Sequence, residues 1–212
     1  MTILAFDTSS REGLIALCTP TGQVLELKNT NIQAHHAFIL PGIQQLLAEA
    51  QLNLAEIDHL ACSIGPGSFV GTRLAVSVMQ GLAYGLKKPI IPLNHLEILA
   101  LAAKRMHGLQ EVVVALDAKM QAFYFLDPKQ KTHFYRLAEM DTDTQQALRK
   151  YPHKIGDAWP LLGEFTVTLE AQCIGKDLID LAQQNLNRAL MTPSQLLPLY
   201  LNDEGNWKKT RN

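Results

Sequence analysis

The sequence lacks an excess of charge of either sign. Nineteen lysines and arginines face 20 aspartates and glutamates, which leaves a net charge of -1. Because neutralisation of phosphates by basic side chains dominates affinity for nucleic acids, this balance excludes a protein that attracts polyanions through its overall field. We therefore expect any contact with RNA to be local or to be made through a partner.

Cysteine is scarce, and long apolar runs are absent. Cys18, Cys62 and Cys173 are odd in number, far apart and set in apolar sequence, which excludes a disulfide scaffold and indicates reduced thiols. The first apolar run stops at Asp7 and no basic residue precedes it, so neither a signal peptide nor a membrane span is expected. We predict a cytoplasmic protein without membrane contact.

The common catalytic and metal motifs are missing as well. None of the seven histidines has a second histidine one helical turn away, since the positions that would serve His95 are Ile98 and Leu99. Neither a Gly-x-Ser-x-Gly elbow nor a Cys-x-x-Cys pair occurs. We predict no catalytic residue and no metal ligand, which argues against a metalloprotease.

The first half of the chain alternates strands and helices. Three strands between residues 2 and 27 are separated by short turns and predict an antiparallel meander. The later predicted elements are helices at 36–51, 71–84 and 95–107 and strands at 58–64 and 90–93. This order predicts an α/β fold in which helices flank a mixed sheet.

A weaker copy of the opening pattern begins after Gly108. Strands are expected at 112–116, 123–126 and 133–137 and helices at 143–151 and 177–190, while 152–170 has no clear pattern. Two copies of the same order predict two related lobes. We divide the chain into an N-terminal lobe, 1–108, and a smaller, degenerate C-terminal lobe, 109–212.

Two loops have residues that suit an anionic ligand. The turn Asp7-Thr8-Ser9-Ser10 ends a buried strand and is a candidate for binding a metal-bound phosphate, although the same residue types are ordinary in hairpin turns. The loop from Gly65 to Arg73 joins a strand to a helix, where backbone amides can surround an anion. Its spacing fits neither a dinucleotide fingerprint nor a Walker loop.

Two predicted helices carry very little charge. Glu49 is the one charged residue in 36–51, and Arg73 is the one in 71–84. A helix with one face in water usually shows a charged stripe, so these faces are covered either by the lobe itself or by another protein. The predicted partner-facing residues are Ile39, Ile43, Leu47, Gly71, Leu74, Ala75, Val78, Gly81, Leu82 and Gly85.

Together these motifs resemble the TsaB (YeaZ) family. The segments that carry the resemblance are Phe6-Asp7-Thr8-Ser9, Ile64 to Arg73, Gln80-Gly81-Leu82-Ala83, Asp117-Ala118-Lys119, Pro198-Leu199-Tyr200-Leu201 and Trp207-Lys208-Lys209. The resemblance implies the fold of actin, Hsp70 and sugar kinases (the ASKHA fold), with two related lobes. It also implies kinship with TsaD, a catalytic protein that has a His-x-x-x-His metal motif. His95 matches the first histidine of that motif, but Leu99 stands at the second.

The resemblance implies a role in the modification of tRNA adenosine to threonylcarbamoyladenosine. In that family the two weakly charged helices pair with TsaD, or with a second copy when TsaD is absent, and the ATPase TsaE is recruited. Contact with tRNA is expected only through the complex, and no catalytic activity of this chain is expected.

An independent ATPase or small-molecule kinase is the alternative. It would bind ATP or ADP with Mg²⁺ between Asp7, with its hydroxyl-rich turn, and Asp117 of the second lobe. No clear glycine-rich loop that could bind adenosine follows Leu116, so the sequence does not provide the second side of that ATP-binding cleft.

Overall fold

The structure is a computed structural model, and it describes residues 1–31, 34–163, 168–188 and 190–201. The predicted motif at Trp207-Lys208-Lys209 therefore lies outside the described residues.

A five-stranded mixed sheet forms the centre of the first lobe. Its strands are β1 (Ile3–Asp7), β2 (Gly13–Cys18), β3 (Val24–Asn29), β4 (His59–Ser63) and β5 (Ile90–Leu93), in the order β3-β2-β1-β4-β5. The first three strands are antiparallel, whereas β4 and β5 run parallel to β1. This confirms the predicted meander followed by parallel strands.

Helices cover both faces of this sheet. The α-helices within the described residues are α1 (His35–Glu49), α2 (Phe69–Leu86), α3 (His95–His107), α4 (Thr142–Arg149) and α5 (Gly175–Asn185). Leu4 and Phe6 of β1 pack in a core with α1 and α2. Ile3 and Ala5, which point to the opposite face, pack with α3 and α5. The period-2 alternation of side chains along a strand thus places two buried layers around one sheet.

In the part of the chain that the structure describes, the second lobe repeats the strand order of the first with one strand fewer. Its strands are β6 (Val113–Lys119), β7 (Ala122–Leu126), β8 (Thr132–Arg136) and β9 (Lys154–Ile155), in the order β8-β7-β6-β9. β6, β7 and β8 are antiparallel, and β9 is parallel to β6. This arrangement matches β3-β2-β1-β4 and forms the second mixed sheet of an ASKHA-like fold.

The described residues of the segment before α5 contain regular structure that the sequence did not indicate. Residues 152–170, which had no clear pattern, contain β9 and a short 3-10 helix, Trp159–Leu162. Trp159 is fully buried and donates from Nε1 to the carbonyl oxygen of Ile155 at 2.8 Å. This single large side chain anchors an irregular segment that shows no periodicity.

The chain returns to the first lobe after this segment. α5 packs on the first sheet and on α3, Met191 pairs with Ile90 of β5, and Leu196 is fully buried in the core beside α2. α5 ends at Asn185, so the predicted extension of this helix to Leu190 is wrong. The division of the chain at residue 108 remains a prediction. The contacts of residues 175–199 favour including them with the first lobe, because α5 buries its apolar face there.

Candidate functional site

The turn after β1 is buried, and its polar groups bond to the protein itself. Asp7, Thr8 and Ser9 are each less than 5% exposed. Thr8 donates from Oγ1 to the carbonyl oxygen of Gly71 at 2.7 Å, and the hydroxyls of Ser9 and Ser63 are 2.8 Å apart. The hydroxyl groups of Thr8 and Ser9, which the sequence predicted to bind a phosphate, therefore already form hydrogen bonds within the protein.

Asp7 forms a buried pair with His95, the first residue of α3. Nδ1 of His95 lies 2.6 Å from Oδ2 of Asp7, while the backbone amide of Ser9 donates to Oδ1 at 2.7 Å. Burial raises the pKa of Asp7, but the charge and hydrogen bond of His95 and the hydrogen bonds of Ser9 lower it, and the net pKa lies below its ordinary value. Asp7 is therefore an anion, and each of its two carboxylate oxygens forms a hydrogen bond within the protein.

The glycine-rich loop supports this turn by close packing. A Cβ atom on Gly71 would lie 1.8 Å from the carbonyl oxygen of Thr8, and one on Gly67 would lie 2.3 Å from that of Ser9. The amide of Ser68 donates to the Ser9 oxygen at 2.6 Å. Glycine is therefore required at both positions because the start of α2 touches the backbone of the turn.

The rest of α3's first turn completes the arrangement. The side chain of Asn94 caps α3 by accepting from the amide of Leu96, and the amide of His95 donates to the carbonyl oxygen of Gly65. β1, the glycine-rich loop and α3 thus meet at one point. Tertiary contacts bring together two motifs and a histidine that are up to 88 residues apart.

As the structure has it, the Asp7 turn does not fit a metal-bound phosphate. Ser10 is the member of the predicted nucleotide site with a half-buried side chain, and its hydroxyl donates to the carbonyl oxygen of Glu12. A cleft of about 640 Å³ does separate this turn from Asp117 and Lys119 of the second lobe. However, Asp117 is paired with Lys119 at 2.6 Å.

Among the residues that the structure describes, no group of three or more histidine, cysteine, aspartate or glutamate side chains is placed to hold a metal ion. Within the same residues, no helix is long and apolar enough to cross a bilayer.

The predicted partner-facing residues divide into two groups. Five of them are buried in the first lobe and cannot line a partner surface in this structure: Ile39, Ile43, Leu47, Gly71 and Ala75. Their prediction is corrected here, because α1 and α2 use these residues to cover the first sheet. The uncharged inner stripe of each helix is explained by the monomer's own core.

The other five residues lie on the outward side of α2. Gly81 and Gly85 are exposed, and a Cβ on either would meet no atom within 4 Å. Leu74, Val78 and Leu82 are half-buried. We define the outer α2 face as these five residues together with Phe69, Val70 and Tyr84, which are 67, 73 and 81% exposed. Sequence reasoning missed these last three residues. Their helical spacing relative to Gly81 could have placed them on the same face of α2.

The comparisons with known proteins agree with this architecture. The family model for TsaD, a tRNA N6-adenosine threonylcarbamoyltransferase, matches residues 28–160. A TsaB of Haemophilus influenzae, a tRNA threonylcarbamoyladenosine biosynthesis protein, is 31% identical over 99% of this chain and 97% of its own. The TsaB of Escherichia coli is 29% identical over 99% of this chain and 98% of its own.

A solved structure has the same fold. YeaZ from Pseudomonas aeruginosa superposes with a TM-score of 0.78 at 28% identity, over 94% of this chain and 99% of that one. The protein is thus of the ASKHA-like class, with two lobes of mixed sheet flanked by helices. The chain belongs to the TsaB (YeaZ) family, which is related to TsaD. Its role lies in the biosynthesis of threonylcarbamoyladenosine in tRNA.

Proposed function

We propose that this chain is a non-catalytic subunit that pairs with TsaD through the outer α2 face. The proposal rests on the observation that this face is exposed, apolar and rich in small residues. Arg73, the one charged residue of α2, bends over the ring of Phe69, with its Cζ 3.2 Å from the ring centroid, and leaves the rest of the face uncharged. Such a surface costs free energy in water and is typical of a protein interface.

α1 covers the same face of the first sheet as α2 and also carries little charge. Leu40 is 51% exposed on a helix that has Glu49 as its sole charged residue. Gly81 and Gly85 allow a second helix to approach α2 closely, since they present no side chain. A helix pair from TsaD fits this shape, and a second copy of the same chain presents an identical pair, so a homodimer forms when TsaD is absent. TsaE joins the complex, and contact with tRNA is made through TsaD.

The absence of a catalytic role is supported by the state of Asp7. His95 and the Ser9 amide engage both carboxylate oxygens, and the hydroxyls of Thr8 and Ser9 bond within the protein. The alternative, an independent ATPase or kinase that uses ATP or ADP with Mg²⁺, needs this carboxylate to be available. Calorimetric titration with Mg-ATP separates the two hypotheses, because micromolar binding that is lost in Asp7→Asn would favour the alternative.

The variant Gly81→Arg tests the pairing. A Cβ atom at this position would meet no atom within 4 Å, so the fold should be retained, and the guanidinium places a charge in the middle of the outer α2 face. We expect loss of the complex with purified TsaD on size-exclusion chromatography. Ala75→Glu would be a poor test, because Ala75 is fully buried and a charge there would unfold the lobe.

Gln183→Arg is the matched control, since Gln183 is exposed on α5, on the other side of the first sheet. It adds the same charge and should leave the complex intact. A Gly81→Arg chain that still elutes with TsaD would refute the proposed surface.

A further inference from the structure

Residues 190–201, which we call the 190–201 segment, cross the first lobe beside α2. Three pairs of neighbouring residues fix its course, and they join Tyr84 to Pro193, Gln80 to Leu196 and Arg73 to Tyr200. The position in α2 falls from 84 to 73 as the position in the segment rises from 193 to 200, so the segment runs antiparallel to the helix. It therefore borders the outer α2 face along most of its length.

Backbone hydrogen bonds and one buried side chain hold the segment in place. Met191 exchanges two backbone hydrogen bonds with Ile90 of β5, each of 2.8 Å, and the amide of Leu199 donates to the carbonyl oxygen of Ile64 at 2.8 Å. Leu196 is fully buried in the core beneath α2. The segment is thus a fixed part of the surface of the first lobe.

The 190–201 segment has no charged residue, although surface segments outside helices and strands are usually polar. Leu196 enters the core, whereas Leu197, the next residue, is 61% exposed, so the two side chains point in opposite directions. Leu197 therefore lies on the same side of the lobe as the outer α2 face. A single exposed leucine is ordinary, but an uncharged segment that adjoins an exposed apolar helix is typical of an interface.

The area that a stable complex needs also favours a surface larger than the helices. α2 and α1 have 18 and 15 residues, so at 1.5 Å per residue and a width of about 10 Å they offer a footprint of about 500 Å². Stable interfaces bury about 800 Å² on each partner. Even if the whole outward side of α1 is included, the two helices fall short, and the 190–201 segment adds apolar surface directly beside α2.

A hollow of about 500 Å³ lies between the end of α2 and the 190–201 segment. The rings of Tyr84 and Pro193 form part of its wall. Lys87 is exposed beside it, whereas Lys88 donates from Nζ to the carbonyl oxygen of Ile57. Interfaces place their strongest contacts in hollows of this kind, and an apolar side chain of a partner, followed by a carboxylate that meets Lys87, fits this one.

We propose that TsaD packs on the 190–201 segment as well as on the outer α2 face, with Leu197 in direct contact. The inference rests on the proposed pairing with TsaD and adds a non-helical element to that interface. Pro193 and Pro198 restrict the backbone of the segment, which lowers the entropy lost when a partner covers it.

The variant Leu197→Asp tests this contact. It places a charge where the proposed interface is apolar, so we expect the affinity for purified TsaD, measured by calorimetric titration, to fall by about tenfold or more. Leu197→Met retains the apolar contact and should bind as the parent does. Gln183→Asp adds the same charge to the exposed side of α5, on the other side of the first sheet, and should leave the affinity unchanged.

Thermal unfolding of the free chain separates loss of contact from loss of fold. Because Leu197 is mostly exposed, Leu197→Asp should unfold at the same temperature as the parent. Hydrogen–deuterium exchange of the parent gives a reading without substitution. We expect TsaD to slow the exchange of peptides that span 192–201 and to leave those that span 176–184 of α5 unchanged. An exchange rate in 192–201 that TsaD does not alter would overturn the inference.

Gly81→Arg, measured beside Leu197→Asp, separates this inference from the proposed function. If both variants lose TsaD, both proposals are supported. If Gly81→Arg loses TsaD and Leu197→Asp binds as the parent does, the inference is overturned and pairing through α2 stands. If Leu197→Asp alone loses TsaD, the inference stands without the outer α2 face, and if both variants bind normally, both proposals are wrong. A Leu197→Asp chain that loses self-association but binds TsaD normally assigns the segment to a homodimer, which also overturns the inference.

Discussion

The variant His95→Asn tests the buried Asp7–His95 pair. Asparagine can still donate a hydrogen bond towards Oδ2 of Asp7, but it removes the imidazole that lowers the pKa of this carboxyl group. Both side chains are about 95% buried, so water cannot compensate. Removing one partner of a buried pair typically costs about 3–5 kcal/mol of stability. Because asparagine retains the hydrogen bond, we expect the free energy of unfolding at pH 7 to fall by about 3 kcal/mol.

The loss should depend on pH. In the parent chain the pKa of Asp7 is lowered in the folded state, so its contribution to stability is present above its ordinary pKa and is lost as the pH falls through the folded value. In His95→Asn the main lowering influence is gone, and burial raises the pKa of Asp7. A carboxyl group with a raised pKa destabilises the fold as the pH rises, so the variant is penalised most at neutral pH.

Urea unfolding followed by circular dichroism between pH 4.5 and 7 measures the difference between parent and variant. We expect the difference to be largest at pH 7 and to shrink as the solution is acidified. The double variant Asp7→Asn, His95→Asn should recover part of the loss, since no buried charge remains. His36→Asn, on the exposed side of α1, is the control and should change stability by no more than about 0.5 kcal/mol. A difference that is constant over this pH range would refute the reasoning.

Two further substitutions test the packing. Gly71→Ala places a Cβ against the Thr8 carbonyl oxygen and should destabilise the fold by about 1–3 kcal/mol, whereas Gly81→Ala meets open space on the same helix and should stabilise it by about 0.5–1 kcal/mol, both measured by chemical unfolding. Similar effects at the two positions would contradict the close contact of α2 with the β1 turn. Arg105→Ala removes two of the three hydrogen bonds that the buried carboxylate of Asp177 accepts and should lower stability by about 3 kcal/mol, with faster hydrogen exchange in α5. Lys176→Ala is the control, because Lys176 is exposed and pairs with Asp180 on the surface of α5. A loss there as large as for Arg105→Ala would contradict the role of burial.

Local sequence was sufficient for most of the elements. The bounds of β5 and α3 agree with the prediction residue for residue, because a short β-branched strand and a capped amphipathic helix are defined by neighbouring side chains. The repeated strand pattern predicted two related lobes, and the family resemblance implied the ASKHA fold. The segment around Trp159 could not be predicted, since one buried ring rather than a periodic pattern stabilises it.

The site depended on contacts that local pattern does not contain. The sequence showed that α1 and α2 lack charge, but it could not show which residues already face the first sheet, and half of the predicted partner residues proved to be core. It identified Asp7 and the glycine-rich loop as separate phosphate candidates, although the loop packs against the Asp7 turn.

By itself, the sequence determined the order of strands and helices, the absence of a histidine pair for a metal, and the uncharged character of two helices. Periodicity and composition carry that information because they act between residues close in the chain. Only the tertiary structure decided that His95 pairs with Asp7, that the outer α2 face is exposed and apolar, and that the core of the first lobe buries half of the predicted partner residues. Each of these depends on distances between residues far apart in sequence, which packing of the whole chain sets.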